Sequence, residues 1–378
     1  GRWVQSLGLE STEALLEAAR QPTLIVPANI TFYPIRVTEN VLTKGLELFG
    51  GELTGRVLEE LIIEGNILFK DTDMDIRLGD AINPDKKWRW WETKLLDRLF
   101  NKIDSLDDLF NLHGKSERLD DRLIYMLICL ETRRIRDAYM REMYTGVTVN
   151  LSHLASTLIQ KYADSGKMEV ECALFHKALF LAIKSVQKEP SVHLHRSMVN
   201  PGNYKRNEVE LSSGFNQFIT SKACSELVVR EADRYRFLPK LLEDHGFHET
   251  RLENLIDVYA NEMAPITAAV KAVERAMEMA PDIDDRAMAH QLFDDERVSY
   301  AWNKGLFSQP EFEAINAQET ATESGEPYLI VPDKPREMGI VLVHGFLASP
   351  AELREFGEKL GAAGYPVLGV RLEGHGTS

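Results

Sequence analysis

The sequence predicts α/β structure at both ends of the chain and a large all-α middle. Three observations predict it. Short, β-branched apolar runs cluster near each end. The long segments between them place apolar residues at three- and four-residue intervals. A polar, small-residue stretch, "NAQETATESGEPY" (Asn316–Tyr328), precedes the last group of strands and reads as a linker. The expected division is an α/β piece over residues 1–83, a helical region over 84–318, and a linker with a second α/β piece over 319–378.

In the first piece, "TLIVPANITFYPIR" (Thr23–Arg36) is β-branched and punctuated by Pro27 and Pro34, as a strand near a sheet edge would be. "MDIRLGDAI" (Met74–Ile82) alternates Met, Ile and Leu against Asp, Arg and Gly, the period of a half-buried strand. Between them "ENVLTKGLELF" and "TGRVLEELIIEGNILF" carry helical spacing, with Thr54 as N-cap of the second.

In the middle, helices are expected over "WETKLLDRLFNKI", "DRLIYMLICLETRRIRDAYMREMY", "ECALFHKALFLAIKSVQ" and "TRLENLIDVYANEMAPITAAVKAVERAMEM". Pro190, Pro201 and Pro281, with Gly202, mark breaks. No fixed-period repeat favours a solenoid. The last piece reads strand, strand, helix, strand: "PYLIVPD", "GIVLVH", "SPAELREFGEKLGAAG", "YPVLGVRL". Fully apolar strands of this kind belong to a parallel sheet covered on both faces.

Composition narrows the function. The 44 basic against 59 acidic residues give a net charge of −15, which excludes a phosphate-tracking nucleic-acid surface. Cys129, Cys172 and Cys224 form no C-x-x-C pair, so reduced thiols in a cytoplasm-like compartment are expected. No run reaches the roughly eighteen apolar residues of a membrane span. The most apolar stretch, "ALFHKALFLAI", is interrupted by His176 and Lys177 and reads as a buried helix. The start, "GRWVQSLGLE", has no initiator Met and no signal-peptide character. Both ends read as cuts within a longer polypeptide. The expected location is cytoplasmic, peripheral at the inner membrane face.

The stretch "VLVHGFLASP" (Val341–Pro350) runs an apolar strand into His-Gly-Phe. Acyl transfer needs N–H donors aimed at a developing oxyanion, one of them from the loop after the third strand. Gly345 is read as letting that loop turn tightly against a substrate. The Phe346 amide is read as the donor, with His344 and Leu347 beside it at the substrate. Pro350 suits the first turn of the following helix. Further on, "LEGHGTS" closes a strand with Gly374, His375 and Gly376 as a turn.

This combination resembles α/β-hydrolases of the carboxylesterase and monoglyceride-lipase type, over Glu326–Ser378. They have His-Gly-Phe after strand three, a helix ending in Ala-Gly-Tyr, and a strand closing in Gly-His-Gly. Many relatives carry Asp-x-Arg-Gly-His-Gly, whereas Arg371, Leu372 and Glu373 stand before the motif here. The resemblance implies a Ser-His-Asp mechanism on a lipid or other ester, with no cofactor. It puts nucleophile, acid and base downstream of Phe346. The chain contains no Gly-x-Ser-x-Gly, so the serine is expected beyond Ser378. His344 is expected to fix the loop by hydrogen bonds rather than act as a base. The bland alternative is a βαβ unit of another doubly wound fold, with His344 and His375 as loop residues.

The two N-terminal strands resemble the closing part of glycerolipid acyltransferases of the glycerol-3-phosphate and lysophosphatidate type, over residues 22–82. Pro27, Tyr33 and Arg36 lie on the first strand segment, and Met74–Ile82 matches the last strand except that Ala81 stands where Pro is usual. The resemblance implies transfer of an acyl group from acyl-CoA or acyl-carrier protein to a glycerol-type hydroxyl. The catalytic His-x-x-x-x-Asp would precede Gly1. "HQLFDD" (His290 to Asp295) is a chance match, because a five-residue helical spacing points the two side chains about 140° apart.

Three other segments have bland readings. "HLH" (His193–His195) lacks a further ligand at zinc spacing. "HGFHE" (His245–Glu249) reads as a helix end with Gly246 as the break. "KKWRWWE" (Lys86–Glu92) interleaves basic and aromatic residues, as a peripheral membrane contact or a helix start burying Trp88 or Trp91 would. The expectation is a fragment of a bifunctional enzyme of lipid metabolism, acyltransferase plus ester hydrolase, inactive as it stands. The competing class is a non-catalytic helical interaction protein or scaffold.

Overall fold

The computed structural model describes residues 4–5, 7–21, 23–34, 72–84, 89–100, 119–204, 213–243, 253–318 and 324–376. They group into two compact units, Gly1–Thr31 with Asp75–Val147, and Phe32–Met74 with Thr148–Ser378. Arg36, Thr54, the two helices expected between the first strands, Lys86–Trp88 and His245–Glu249 lie outside the described residues.

Helix α1 (Thr12–Arg20) starts where Ser11 Oγ accepts from the Ala14 N–H at 3.0 Å. Strands β1 (Ala28–Tyr33) and β2 (Asp73–Leu78) are neighbours in a two-stranded sheet. An antiparallel bridge between Ile25 and Ile82 and a 2.8 Å bond from Gly79 N–H to Pro27 O extend the pairing. The alternation expected of β2 is present, but its buried side is inverted. Ile30, Ile76 and Leu78 are exposed, while Thr31 is buried and Asn29 and Asp75 are half-buried. The polar side has partners on the helix α3 (Leu119–Thr145), which follows α2 (Trp90–Phe100). Asn29 Nδ2 donates to Met143 O at 2.8 Å, and the Asp80 N–H donates to Glu142 Oε2 at 3.1 Å. The face that turns in is thus the polar one, and on β1 it is met by a hydrogen bond to α3. Helices α2 and α3 pack through Leu96, Leu99 and Ile124, flanked by Leu95 and Ile128.

The second unit is built on four helices: α4 (Leu151–Asp164), α5 (Cys172–Val186), α7 (Leu255–Met263) and α8 (Thr267–Met279). Helix α4 begins at a reciprocal cap. Asn150 Oδ1 accepts from the Ser152 and His153 N–H groups, and His153 Nδ1 accepts from the Asn150 N–H at 3.1 Å. Leu154, Leu158 and Ile159 of α4 and Phe175, Ala178 and Ala182 of α5 are all but fully buried. Helix α8 packs on α5, and its buried side is mostly small: Ala269, Ala272 and Ala276 with Val273. The segment expected as one long helix is two. Pro265 lies between α7 and α8 and supplies no N–H to continue the ladder.

The middle is also not all-α. Strand β3 (Glu169–Glu171), β4 (Val228–Glu231) and β5 (Arg234–Phe237) form an antiparallel sheet in the order β3-β5-β4. Helix α6 (Ser213–Ile219) lies between β3 and β4 in sequence. The long helix α9 (Asp285–Phe307) follows α8.

The C-terminal elements are β6 (Tyr328–Ile330), β7 (Ile340–Val343), α10 (Ala351–Ala362) and β8 (Val367–Val370), with strand order β6-β8-β7. The pair β7–β8 is parallel, Ile340 to Val367 through Val343 to Val370, with α10 as the crossover that a parallel pair requires. The expectation of an all-parallel sheet covered on both faces needs two corrections. Strand β6 runs antiparallel to β8, and β7 is an edge strand with Val341 and Val343 mostly exposed. Glycines set the helix–sheet distance. A Cβ at Gly357 would come within 2.8 Å of Tyr328 Oη, one at Gly369 would overlap the Tyr328 ring, and one at Gly361 would meet Ile330 Cγ2 at 2.6 Å. Tyr328 Oη donates to Leu353 O at 2.8 Å, and the Arg354 guanidinium sits 4.6 Å from its ring centroid.

Candidate active site

The loops that leave β7 and β8 meet, and most of the sequence-predicted residues lie there. Gly345 O accepts from the Ala348 N–H at 3.3 Å, and Leu347 has φ +61°. Those two features define a type II turn with Phe346 and Leu347 at its centre. The left-handed residue is therefore Leu347, not glycine. Gly345 was expected to enable the turn, but its backbone does not need it. Its φ is ordinary and a Cβ there would meet nothing within 4 Å. What glycine at 345 provides is open space beside the loop.

The Phe346 N–H has no acceptor among the described residues, and the Phe346 and Leu347 side chains are 88% and 86% exposed. An unpaired donor flanked by two apolar side chains thus stands at the tip of the turn.

His344 is buried and braces this turn. The Leu372 N–H donates to its Nε2 at 3.2 Å, so that nitrogen is an acceptor. The proton then sits on Nδ1, which donates to Gly345 O at 3.0 Å. Both ring nitrogens are occupied by backbone, and the ring has no lone pair left for a substrate proton. His375 Nδ1 donates to Ala348 O at 3.1 Å, tying the second loop to the far end of the turn. The two imidazoles lie 5.0 Å apart.

Gly374 and Gly376 have φ +82° and +64°, which glycine adopts without strain. Gly376 also touches backbone. A Cβ there would lie 2.9 Å from Gly325 Cα, and one on Gly325 would lie 2.6 Å from Gly376 O. Gly325, in the expected linker, is a part of the site that sequence reasoning missed; its only signal was a glycine two residues before Pro327.

Arg371 is the other omission. Its guanidinium is buried, and Nη1 donates to His375 O at 3.3 Å while Nη2 reaches Ser299 Oγ on α9 at 3.5 Å. Burial pushes its pKa below the usual range, opposed by Glu296 and Glu373. The position at which this chain departs from Asp-x-Arg-Gly-His-Gly is thus the one that anchors the second loop to α9.

The N-terminal candidates are dispersed. Pro27 is buried and its carbonyl serves the β1–β2 pairing. Tyr33, half-buried, stands beside a cluster that its sequence context did not suggest. His195 Nε2 lies 3.2 Å from Asp73 Oδ2, and His195 Nδ1 lies 2.8 Å from Ser197 Oγ. Arg196 binds both oxygens of Asp73. Tyr33 bonds Ser197, and burial pushes the Tyr33 phenol up, with Asp73 adding to the rise.

These distances are those of a serine–histidine–aspartate set, but the wiring differs. The Ser197 N–H donates to the same Nδ1 at 3.1 Å, so the imidazole caps a short 3-10 turn (Arg196–Met198). The next amides are also used, Met198 N–H on His195 O and Val199 N–H on Arg196 O. The Ser197, Met198 and Val199 amides are thus committed to the turn rather than aimed at an oxyanion.

His193, by contrast with His195, is exposed, so the "HLH" pair shares no site. His290 is exposed and Asp295 fully buried, so "HQLFDD" assembles nothing. Asp295 instead holds the buried Lys184 at 2.9 Å and accepts from Tyr204 Oη at 3.2 Å. Among the described residues no group of three or more His, Cys, Asp and Glu is placed to hold a metal ion. Nor is any helix among them long and apolar enough to cross a membrane. No protein-family model, curated protein or solved structure matches the chain.

Proposed function

We propose that the C-terminal elements supply the oxyanion loop of a serine-type ester hydrolase acting on a lipid or other apolar ester. The observation that carries this reading is the unpaired Phe346 N–H, held at the tip of a turn braced by two buried or half-buried histidines. In the reaction a serine Oγ attacks the ester carbonyl, and the carbonyl electrons move onto oxygen. The Phe346 N–H donates to that oxygen while the base takes the serine proton. The oxygen's electrons then return, and the C–O bond breaks as the base gives that proton to the leaving alcohol. Water later releases the acid by the same route. Phe346 and Leu347 would flank the acyl or alkyl part with apolar surface. His344 positions the donor and exchanges no proton. On this reading the nucleophile, base and acid are outside residues 1–378, which hold no Gly-x-Ser-x-Gly.

A second reading, a glycerolipid acyltransferase in the same polypeptide, is favoured by one observation. The two segments that carry that resemblance, far apart in sequence, are neighbouring strands β1 and β2. Acyl-CoA or acyl-carrier protein would be the donor, and a glycerol-type hydroxyl the acceptor.

Chain 1–378 alone is expected to give no burst with activated esters and no labelling by a fluorophosphonate. Stoichiometric labelling, at Ser197 or elsewhere, would refute the assignment of the nucleophile to other polypeptide.

A further inference from the structure

Helix α3 is apolar on two sides. Ile124 and Leu127 are buried, and Ile124 packs with Leu96 and Leu99 of α2. About a third of a turn round the helix, Leu119, Leu123, Met126 and Leu130 follow at intervals of four, three and four residues, which sets them in one stripe of an α-helix. They are 73%, 43%, 49% and 52% exposed. A continuous stripe of this kind on a surface helix calls for a partner.

The charges beside the stripe say what kind. At about 100° per residue, Arg122 and Arg133 fall on one shoulder and Arg134 and Arg141 on the other. All four are exposed. Two of the acids on this helix are already engaged by neighbours, Glu131 by Arg134 at 2.6 Å and Asp137 by Arg136 at 2.7 Å. The acid excess of the chain lies in the other unit, whereas basic and acidic residues nearly balance in this one. Trp90 and Trp91 on α2 are also exposed. A second copy of the chain would have to set arginines against arginines along this face. An apolar stripe with arginine shoulders instead matches hydrocarbon bordered by anionic headgroups.

We propose that the outer face of α3 is an interfacial binding surface for an anionic lipid bilayer. Leu119, Leu123, Met126 and Leu130 enter the acyl boundary while Arg122, Arg133 and Arg141 reach headgroup oxygens. This inference stands independently of the ester-hydrolase reading.

The test is co-sedimentation of chain 1–378 with vesicles of phosphatidylglycerol and phosphatidylcholine in equal parts, against phosphatidylcholine alone. Binding is expected to the anionic vesicles, and to weaken as salt rises toward about 1 M. The double variant Leu123→Glu, Met126→Glu alters only exposed positions, so its far-UV circular dichroism should match the parent. Its vesicle affinity should fall about tenfold or more. Arg133→Glu with Arg141→Glu should weaken anionic binding selectively. Absence of pelleting, equal pelleting with phosphatidylcholine alone, or unchanged binding by the leucine–methionine variant would each overturn the proposal. Concentration-dependent dimerisation abolished by that variant, with no vesicle binding, would assign the stripe to a protein interface instead.

Discussion

At the scale of single residues, Phe346 offers a test that separates a backbone donor from its side chain. Position 346 is the second residue of a type II turn, where proline is favoured, so Phe346→Pro should fold and yet lack the N–H. In a polypeptide that includes the nucleophile, turnover is expected to fall by about 10²–10³, with kcat reporting the loss; Phe346→Ala should keep the donor and chiefly change KM. Two glycines make a paired comparison. Gly345→Ala should leave stability within about 0.5 kcal/mol, because its Cβ meets open space. Gly369→Ala should destabilise by about 1–3 kcal/mol, because its Cβ overlaps the Tyr328 ring. Urea midpoints of the two variants check both. The His-Gly-Phe and Gly-His-Gly motifs were legible because their residue types are unusual in sequence. The left-handed residue was not, since leucine at 347 gives no hint of φ +61°. Nor was the role of Arg371, which depends on a serine of α9 that is 72 positions away.

At the scale of elements, the buried ion pair between α5 and α9 is the clearest lever. Lys184 and Asp295 are 1% and 0% exposed, and Asp294 adds a second carboxylate at 2.9 Å. Asp295→Asn leaves a buried ammonium with half its compensation and is expected to cost about 3 kcal/mol, read from the urea midpoint. Beside α7, Cys224 gives a pH signature. Burial raises its thiol from 9.0 to about 11, with a Ser221 hydrogen bond in partial opposition. The folded value lies above the unfolded one, so this contribution is complete below pH 9 and is lost as pH rises through about 11. Alkaline unfolding of Cys224→Ala, where the loss is absent, should be shallower over that window. Helices with strong three- and four-residue spacing were legible as elements. The break at Pro265 was visible in principle, whereas the β4–β5 hairpin hid in "VVREADRYRF", whose charged alternation resembles an exposed helix. The inverted face of β2 could not be read from its pattern. Period tells which residues share a side, not which of the two sides is covered.

At the scale of the whole molecule, the helices and the C-terminal strands of the second unit differ in how they bury apolar surface. The helices α4, α5, α7 and α8 enclose theirs, while β7 presents Val341 and Val343 at an open edge. Amide exchange should follow that contrast, with Val341–Val343 less protected than Leu179–Ile183 by about 10² or more. Comparable protection in both would show that β7 is covered in solution. The contact of Gly325 with Gly376 has a topological consequence. The stretch they bound returns to its own starting point, so β6, β7, α10 and β8 form a circuit whose two ends are one place. Joining such ends adds little closure entropy, because they are already together. Residues 325–376 thus enter and leave the fold through one doorway, and whatever moves Gly325 moves the Gly-His-Gly turn with it.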